Sequence, residues 1–583
     1  MQERLHNPLV NHLAQRIATG LQAMACSELS VEQIAALLSP APQLNMGHYA
    51  FPCFSLAKAL RQAPPAIALK LVDHLETDDV IAQVRAAGPY VNVVFQLSAY
   101  GQLLIEPICA GHFFQQTLTK TPTRVMIEYS QPNTHKELHV GHMRNLCLGN
   151  ALVEINRYVG NTVLAVTYPG DVGTHVAKCL WYIAYQHRGP LPTENRGEWL
   201  ARMYVAGTAQ LDAEKGTEKE AQNREQLTEI LQQIHAGKGE FFTLWRETRQ
   251  WSLDLMREVY AWADVTFDRW FFESEMDAPS VAYMHELHAA GKLVMDQGAI
   301  GMNLEADKLG FCLLVKSDGT GLYATKDVTL ARQKFEEYGV ERSIYVVDNR
   351  QTFHFQQVFK VLEKLGFERA TACYHLPYEM VELPNGAMSS RRGNVVPLLT
   401  LIHNMEAAVV CDYLEKYRGD WSDEEIAVTA RQIANSAIKY GMIRFDNNRK
   451  IVFDMSEWLC LDGETGPYLQ YAVARINALL KKIKTDADPD WDQMVSTQEL
   501  ALLVKLNEFN GVLFRAADQL KANVLCAYLY ELAKLFSSFY AECPIAAADS
   551  VRLQAARLAL CTATKLVLER GLLLLGIQCP QRM

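Results

Sequence analysis

Apolar residues at the start of the chain recur at helical spacing and then give way to alternation. Five of them lie three or four residues apart: Leu9, Leu13, Ile17, Leu21 and Met24. This spacing predicts an amphipathic helix. The segment SVEQ from Ser30 has the form of a capping box, which predicts a second helix start, and VNVVF at Val91 to Phe95 predicts a short strand. Residues 1–115 are therefore predicted to form a separate α+β domain.

A strand, a helix and a second strand are predicted from Val125 onward. The apolar run VMIEYS predicts a core strand, helical spacing extends from about Val140 to Gly160, and a further strand is predicted at Val163 to Thr167. This order indicates a parallel, right-handed βαβ unit, in which ligands bind at the carboxyl ends of the strands. After a charged, helix-rich insertion at about 190–300, FCLLV and SIYVVD are predicted to continue the pattern.

These patterns predict a multidomain α/β and α protein. The parallel-sheet domain, of the Rossmann type, is predicted to span residues 120–400 and to contain the insertion. Helical spacing dominates the rest of the chain, with no further strand signal. We therefore predict a helical connector at 401–460 and an all-helical bundle at 461–583.

The composition is that of a folded protein and argues against membrane, zinc-binding and disulfide-rich classes. Hydrophobic residues make up 49% of the chain and charged residues 21%. The N-terminus lacks the apolar stretch of a signal peptide, and no segment has the apolar length of a membrane helix, so no membrane partner is expected. The 13 cysteines form no Cys-x-x-Cys pair, which argues against a zinc module and a disulfide scaffold. We expect a cytoplasmic protein without metal-ligating side chains.

The net charge bears on the kind of partner. A value of −10 counts against nucleic-acid binding, because phosphate contacts need lysine and arginine. Local basic clusters can override this total, and the candidates are Arg391, Arg392, Arg475, Lys481, Lys482 and Lys484.

Two histidines lie at the entry to the predicted helix that follows the first parallel strand. The segment SQPNTHKELHVGHMRN places His139 and His142 on either side of Gly141. Helix N-terminal amides and imidazole N–H groups donate to anionic oxygens, and Gly141 leaves room for a nucleotide. The pattern predicts a phosphate site. The alternatives are half of a zinc site or two ordinary histidines.

A second segment with phosphate chemistry lies about 250 residues further along the chain. MSSRRGN, from Met388, is rich in hydroxyl and guanidinium groups and stands between strand-like and helical segments. Such a loop is suited to a triphosphate. The alternative is a solvated turn.

Together and in this order, the two segments resemble the HIGH and KMSKS signatures of class I aminoacyl-tRNA synthetases. Within that class, the chain is similar to the arginyl enzymes over nearly its whole length. Five stretches match that family's pattern: Glu128-Tyr129-Ser130 with Pro132-Asn133, GDVGTH from Gly170, YATKD from Tyr323, DNRQ from Asp348, and LGI from Leu575 with Arg582-Met583. The resemblance implies activation of arginine by ATP with Mg²⁺, and transfer of arginine to the 3′ end of tRNA(Arg).

The resemblance also implies which residues handle ATP. The catalytic residues it implies are His139, His142, Lys136, Ser389 and Arg391. The ATP-binding residues it implies are His139, Gly141, His142, Gly170, Asp171, Met388 and Ser389. Ala387 and Ser390 occupy the positions of the two lysines in the KMSKS signature. The resemblance implies that Lys136 supplies the missing cation, with Arg391 assisting.

The arginine side chain itself indicates what its pocket needs. A guanidinium is a planar group of five donors that keeps its charge, so it requires acceptors arranged around a plane. Glu128 and Asp327 are suitable carboxylates, Tyr323 precedes Asp327 by one helical turn, and Gln351 adds an amide. The resemblance implies that these four line the side-chain pocket. It implies that Ser130 and Asn133 hold the α-amino and carboxylate end.

A less specific interpretation of the same residues stays open. In it, Glu128 pairs with a nearby arginine and Tyr323 packs against its neighbours. Asn150 departs from the family pattern, which usually has an aspartate there, and we have no physical account of the change.

The resemblance implies the roles of the remaining domains. The first domain is expected to contact the tRNA elbow, the helical bundle to bind the anticodon, and adenylate formation to require bound tRNA. The chain is expected to act as a monomer.

The rival hypotheses are another enzyme on the same nucleotide-binding core and a non-catalytic RNA-binding paralogue. The second would be free to lose His139, His142 and Asp327, which are all present.

Overall fold

The computed structural model describes residues 7–382 and 396–583 and divides the chain into two compact units. The first unit consists of Met1–Pro122, Tyr158–Gly160 and Cys460–Met583. The second unit consists of Thr123–Arg157 and Asn161–Leu459. Every described residue that is predicted to bind arginine or ATP belongs to the second unit.

The N-terminal part of the first unit combines helices with a small antiparallel sheet. Its helices are α1 (Pro8–Ala23), α2 (Val31–Leu37), α3 (Ala57–Leu60), α4 (Pro64–Val72), α5 (Leu97–Tyr100) and α6 (Glu106–Cys109). Its strands, in the sheet order β1-β2-β4-β3, are β1 (Ser39–Pro40), β2 (Tyr49–Pro52), β3 (Ile81–Ala87) and β4 (Tyr90–Phe95). The predicted α+β fold, the strand at VNVVF and the capping box at Ser30 are confirmed.

The second unit contains most of the remaining elements. Its helices are α7 (Val140–Val159), α8 (Thr174–Trp181), α9 (Arg196–Ala213), α10 (Lys219–His235), α11 (Glu240–Trp262), α12 (Glu273–Ala289), α13 (Tyr323–Tyr338), α14 (Thr352–Lys364), α15 (Leu398–Val409), α16 (Asp423–Ile443) and α17 (Met455–Leu459). Its strands are β5 (Arg124–Glu128), β6 (Thr162–Thr167), β7 (Arg269–Trp270), β8 (Val294–Asp296), β9 (Ala299–Asn303), β10 (Phe311–Val315), β11 (Arg342–Asp348), β12 (Cys373–Tyr378), β13 (Val381–Glu382) and β14 (Ile451–Val452).

A five-stranded parallel sheet forms the centre of the second unit. Its order is β12-β11-β5-β6-β7, and every neighbouring pair is parallel. The predicted βαβ unit is confirmed as β5, α7 and β6. Helix α7 lies so close to β5 that a Cβ atom on Gly149 would meet the Tyr129 ring at 2.1 Å. The carboxyl ends of β5, β6 and β11 meet at one edge of the sheet, where the predicted site residues follow.

The structure corrects the prediction at several strands. FCLLV forms β10, but β10 belongs to a separate antiparallel sheet with β8 and β9. Strand β7 joins the main sheet inside the range predicted as an insertion, and β14 lies in a range predicted to contain only helices. Both are two residues long, which is too short for alternation to show. Strand β12 was also missed, because Pro377 interrupts its pattern; as an edge strand it tolerates proline.

The C-terminal part of the first unit is helical. Its helices are α18 (Gly466–Lys482), α19 (Thr497–Asn507), α20 (Phe509–Gln519), α21 (Asn523–Glu542) and α22 (Val551–Leu574). Each of these helices buries several apolar residues, and Leu502, Leu529 and Leu572 are fully buried among them. The predicted all-helical bundle is confirmed.

Candidate active site

The segment between β5 and α7, residues 129–139, is fixed by backbone contacts with the segment after β6. We call residues 129–139, together with His142, the histidine loop. Thr134 N–H donates to the Gly170 carbonyl at 2.9 Å, and Gly170 N–H donates to the Pro132 carbonyl at 3.2 Å. His135 has a positive φ of 59° and is buried, and its Nε2 lies 2.9 Å from Thr248 Oγ1. These contacts hold the loop at the carboxyl edge of the sheet before any ligand is bound.

His139 and His142 have their ring nitrogens fixed by backbone donors. Gly141 N–H donates to His139 Nδ1 at 3.2 Å, and His139 N–H donates to His142 Nδ1 at 3.1 Å. Burial, together with Arg350, lowers the pKa of His139 to about 4, and burial with His139 and Lys136 lowers the pKa of His142 well below its usual value. A neutral imidazole that accepts at Nδ1 carries its proton on Nε2. Both rings are therefore neutral Nε2–H donors.

Lys136 is placed near the two histidines, while the second predicted phosphate segment cannot be described. Lys136 Nζ lies 5.4 Å from the centroid of the Tyr204 ring, and its charge acts on His142. Met388, Ser389 and Arg391 lie outside the described residues.

Asp171 follows β6 and is enclosed within the second unit. It is 0% exposed, and its Oδ2 accepts from Arg249 Nε at 2.7 Å and from Ser274 Oγ at 2.6 Å. Its Oδ1 accepts from Ser274 N–H at 2.9 Å. Asp171 thereby fixes the first turn of α12 beneath the loop at Gly170.

Glu128, at the end of β5, is buried and forms an ion pair with Lys334. The Lys334 side chain is 0% exposed, and its Nζ lies 2.5 Å from Glu128 Oε2 and 4.0 Å from the centroid of the Tyr345 ring. Pairing of Glu128 with a cation, one alternative left open above, is thus observed, but the cation is a lysine from α13.

Tyr323 and Asp327 lie on one turn of α13, which begins at Tyr323 as the spacing predicted. Tyr323 is 60% exposed, so most of its surface does not pack against its neighbours as the other alternative required. Asp327 Oδ2 lies 2.6 Å from His354 Nε2, on α14. Burial alone would lower the pKa of His354, but Asp327 outweighs it and raises that pKa. Gln351 is exposed just before α14.

Glu273 is a carboxylate of this region that no sequence motif indicated. It begins α12, is buried, and its Oε2 lies 3.3 Å from Lys326 Nζ. Burial raises the pKa of Glu273 to about 7; Lys326 opposes this shift and Asp327 adds to it. Its only sequence signal is a position about 50 residues before the Tyr323 motif, which identifies nothing by itself. We call Glu128, Glu273 and Asp327 the acidic group.

Ser130 and Asn133 are held by groups that sequence reasoning also missed. Ser130 has a positive φ of 55°; its N–H donates to Asn145 Oδ1 at 2.5 Å, and its Oγ lies 2.8 Å from the Tyr260 hydroxyl. The backbones of Asn133 and Gly170 form an isolated parallel β-bridge, and the missing Cβ of Gly170 leaves room for the Asn133 side chain. Asn145 lies three residues after His142 in the same motif, so its role in fixing the loop was open to prediction from helical spacing.

The described residues contain neither a cluster of metal ligands nor a membrane-spanning helix. Within residues 7–382 and 396–583, no group of three or more His, Cys, Asp and Glu side chains could hold a metal ion. No helix in these same ranges is long and apolar enough to cross a membrane.

Models of known families match three parts of the chain. Residues 108–455 match the class I tRNA synthetase (R) catalytic domain, residues 469–583 the DALR anticodon binding domain, and residues 11–95 the arginyl tRNA synthetase N terminal domain. The arginine–tRNA ligase of Bdellovibrio bacteriovorus is 52% identical over 550 residues, which are 94% of each chain. That of Treponema denticola is 33% identical over 575 residues, 95% of each chain.

Solved structures agree with these matches. The Thermus thermophilus arginyl-tRNA synthetase superposes with a TM-score of 0.81 at 26% identity, covering 98% of this chain and 99% of that one. The Plasmodium falciparum arginyl-tRNA synthetase has a TM-score of 0.77 at 19% identity, with 98% and 99% covered, and shows the same fold.

A five-stranded parallel sheet with two neighbouring histidines at the start of the helix after β5, in a chain whose residues 108–455 match the class I catalytic domain, defines a class I aminoacyl-tRNA synthetase. The acidic group beside it suits a cationic amino acid. With the matches above, the chain belongs to the arginyl-tRNA synthetase family. The predicted family and fold class are confirmed.

Proposed function

We propose that the second unit activates L-arginine with ATP and transfers it to tRNA in two steps at the edge of the parallel sheet. Arginine–tRNA ligase activity itself is the activity of this family, and that prediction is confirmed. The residue roles and the steps are our proposal. The observation that carries it is that two neutral N–H donors and three carboxylates, of which Glu128 and Glu273 are buried, lie in one unit.

At the phosphate end, His139 and His142 donate from Nε2 to oxygens of the α-phosphate as its charge develops. Their backbone contacts and neutral state support this role, because donors fixed before the reaction need no reorganisation. Gly141 gives the nucleotide room, Gly170 is proposed to contact ATP from the loop after β6, and Asp171 keeps that loop in place. Lys136 supplies a positive charge. Met388, Ser389 and Arg391 are proposed to complete the site.

At the arginine end, Asp327 and Glu273 accept the guanidinium N–H groups. We propose that Glu128 also lines this pocket, with its charge balanced by Lys334. Tyr323 and Gln351 are proposed to cover the side chain, because both lie exposed at the carboxyl edge. Ser130 and Asn133 are proposed to hold the α-amino and carboxylate groups near the histidine loop.

The first step forms a bond between an arginine carboxylate oxygen and the α-phosphorus of ATP while the bond to pyrophosphate breaks. The protein contributes position and charge stabilisation. In the second step, the 2′-hydroxyl of the terminal tRNA adenosine attacks the arginyl carbonyl carbon and AMP leaves. We propose that these carboxylates select arginine because its guanidinium combines a permanent charge with planar donors, so no editing domain is required.

Mg²⁺ is proposed to arrive bound to the ATP phosphates, since it is commonly held by phosphates and a few carboxylates and not by a dedicated protein cage. The DALR domain binds tRNA(Arg). We further propose that the 1–115 domain contacts the tRNA elbow, that 401–460 connects the catalytic domain at 120–400 to the anticodon domain at 461–583, and that the chain acts as a cytoplasmic monomer.

The direct test is ATP–pyrophosphate exchange with each of the twenty amino acids, with and without total tRNA. We expect exchange with arginine alone and only when tRNA is present. Exchange with another amino acid would contradict the acidic pocket, and no exchange by folded protein would favour an RNA-binding paralogue.

The proposed role of Lys136 has its own test. Because Lys136 replaces a cation that the class usually takes from KMSKS, Lys136→Ala should lower arginine activation well beyond threefold. A smaller change, under roughly 0.7 kcal/mol, would contradict the role.

A further inference from the structure

Tyr168 has a buried hydroxyl whose role the fold of the described residues does not account for. The residue follows β6 directly and is 8% exposed. Its hydroxyl oxygen is buried and has no hydrogen-bond partner in the described part of the chain. Buried polar groups are rarely left unpaired, so each such group calls for an explanation.

The ring of Tyr168 is anchored among apolar side chains that come from the elements of the acidic group. It belongs to one buried cluster with Val166, Met276 and Ala324. Met276 lies three residues after Glu273 on α12, and Ala324 lies three residues before Asp327 on α13. One turn of each helix therefore separates the ring's apolar neighbours from the two carboxylates.

The electrostatic surroundings of the hydroxyl agree with this placement. Burial raises the pKa of Tyr168 well above its usual value, and Asp327, Glu273, Glu128 and Asp171 add to the shift in that order. The phenol therefore keeps its proton at neutral pH. It is a neutral group on which the charges of the acidic group and of Asp171 act, and Asp171 is already bound by Arg249 and Ser274.

We propose that the Tyr168 hydroxyl is a further arginine-binding group, whose oxygen accepts a guanidinium N–H. This inference rests on the proposed arginine pocket. A guanidinium has five donors and needs several acceptors. The carboxylates of the acidic group already use part of their acceptor capacity in ion pairs with Lys334, Lys326 and His354. A hydroxyl adds an acceptor without adding negative charge. Its own proton can then donate to a neighbouring carboxylate, which satisfies both sides of the group.

The test is equilibrium binding of arginine to the full chain, measured by calorimetry with and without tRNA, for the parent and Tyr168→Phe. Removing one hydrogen bond to a charged ligand should weaken binding by about tenfold or more. The melting temperature of the free protein should stay the same or rise, because the hydroxyl has no partner to lose. In pyrophosphate exchange, the KM for arginine should rise by the same factor and kcat should stay within about threefold.

Tyr100→Phe is the matched control. Tyr100 is fully buried in the first unit, and its hydroxyl likewise has no partner in the described chain. This variant makes the same chemical change and should leave arginine binding unaltered.

Arginine binding by Tyr168→Phe within twofold of the parent would overturn the inference. So would a fall in melting temperature that accounts for the loss of binding, since the hydroxyl would then have a structural partner. If the parent itself binds no arginine under either condition, the proposed pocket is overturned, and this inference with it.

Discussion

The two ends of the site solve opposite electrostatic problems in different ways. The histidine loop must receive a polyanion, and it presents neutral N–H donors whose geometry is fixed by the backbone. The acidic group must receive a cation, and each of its carboxylates already has a basic partner: Lys334 for Glu128, Lys326 for Glu273 and His354 for Asp327. The histidine loop binds without a charge on its two imidazoles. The acidic group carries charges that basic side chains of the protein pair with in the absence of substrate.

This difference has an energetic reason. An unpaired charge buried at either end would cost several kcal/mol of folding free energy. At the phosphate end, a neutral imidazole avoids that cost and still donates a hydrogen bond. At the arginine end, carboxylates are unavoidable because the guanidinium needs charged acceptors for specificity, so internal cations stabilise them in the free protein.

The largest effect should come from removing a fixed donor. His142→Ala should lower kcat for arginine-dependent pyrophosphate exchange by about 10²–10³-fold, as loss of one preorganised donor does elsewhere. Arginine affinity should stay within about twofold, because the acidic group is untouched. A large loss of arginine affinity in folded His142→Ala would break the separation of the two ends.

Asp327→Asn should have the next largest effect. The amide loses the charge that the guanidinium needs, so we expect kcat/KM for arginine to fall by about 10²-fold, near the upper range for hydrogen bonds to charged groups. The KM for ATP should change little. Asp307→Asn is the control, since Asp307 pairs with Lys360 and Lys364 and is not proposed to contact either substrate. Equal losses in both variants would contradict the role.

His354 should make arginine affinity depend on pH. Asp327 raises the pKa of His354, so the ion pair stabilises the fold fully below the ordinary value of about 6.5, and this contribution is lost as pH rises through the raised pKa. The same deprotonation releases Asp327 for arginine. The arginine Kd should therefore fall by up to about tenfold per pH unit as pH rises toward that pKa. In His354→Gln this slope should become shallower, and the remainder should come from Glu273, whose pKa is about 7; an unchanged slope would show that His354 does not contribute to it.

The smallest effect concerns the support of the histidine loop. Thr248 Oγ1 donates to the Leu244 carbonyl, so His135 Nε2–H donates to Thr248. Thr248→Val leaves that N–H buried without an acceptor and should lower the free energy of unfolding by about 1–3 kcal/mol in urea titrations. Thr562→Val, which loses only a hydroxyl bond to its own helix, should cost less. The reverse order would show that the loop does not depend on this contact.

The histidine end could be predicted from the sequence because its parts are local. The helix expected from about Val140 to Gly160 is α7, from Val140 to Val159, and Tyr323 and Asp327 share the first turn of α13 as their spacing indicated. These relations depend on strand-to-helix order and on helical periodicity, which a single sequence carries.

The balance of charges at the acidic end could not be predicted in the same way. Glu273, Lys334 and Tyr168 reach the site from α12, α13 and the end of β6, and none lies in a recognisable motif there. Their proximity depends on the sheet order β12-β11-β5-β6-β7 and on how α12 and α13 pack against it. Pairing over such distances along the chain is a property of tertiary structure. The sequence therefore could not show that Lys334, and not an arginine, is the partner of Glu128.

The most direct test of two separable ends is a crossed binding experiment with His142→Ala and Asp327→Asn, in which arginine and ATP are each titrated into both folded variants by calorimetry. The account predicts that His142→Ala weakens only ATP binding and Asp327→Asn weakens only arginine binding, each by about tenfold or more. If either variant weakened both ligands equally, the two ends would not be independent sites and the account would be wrong.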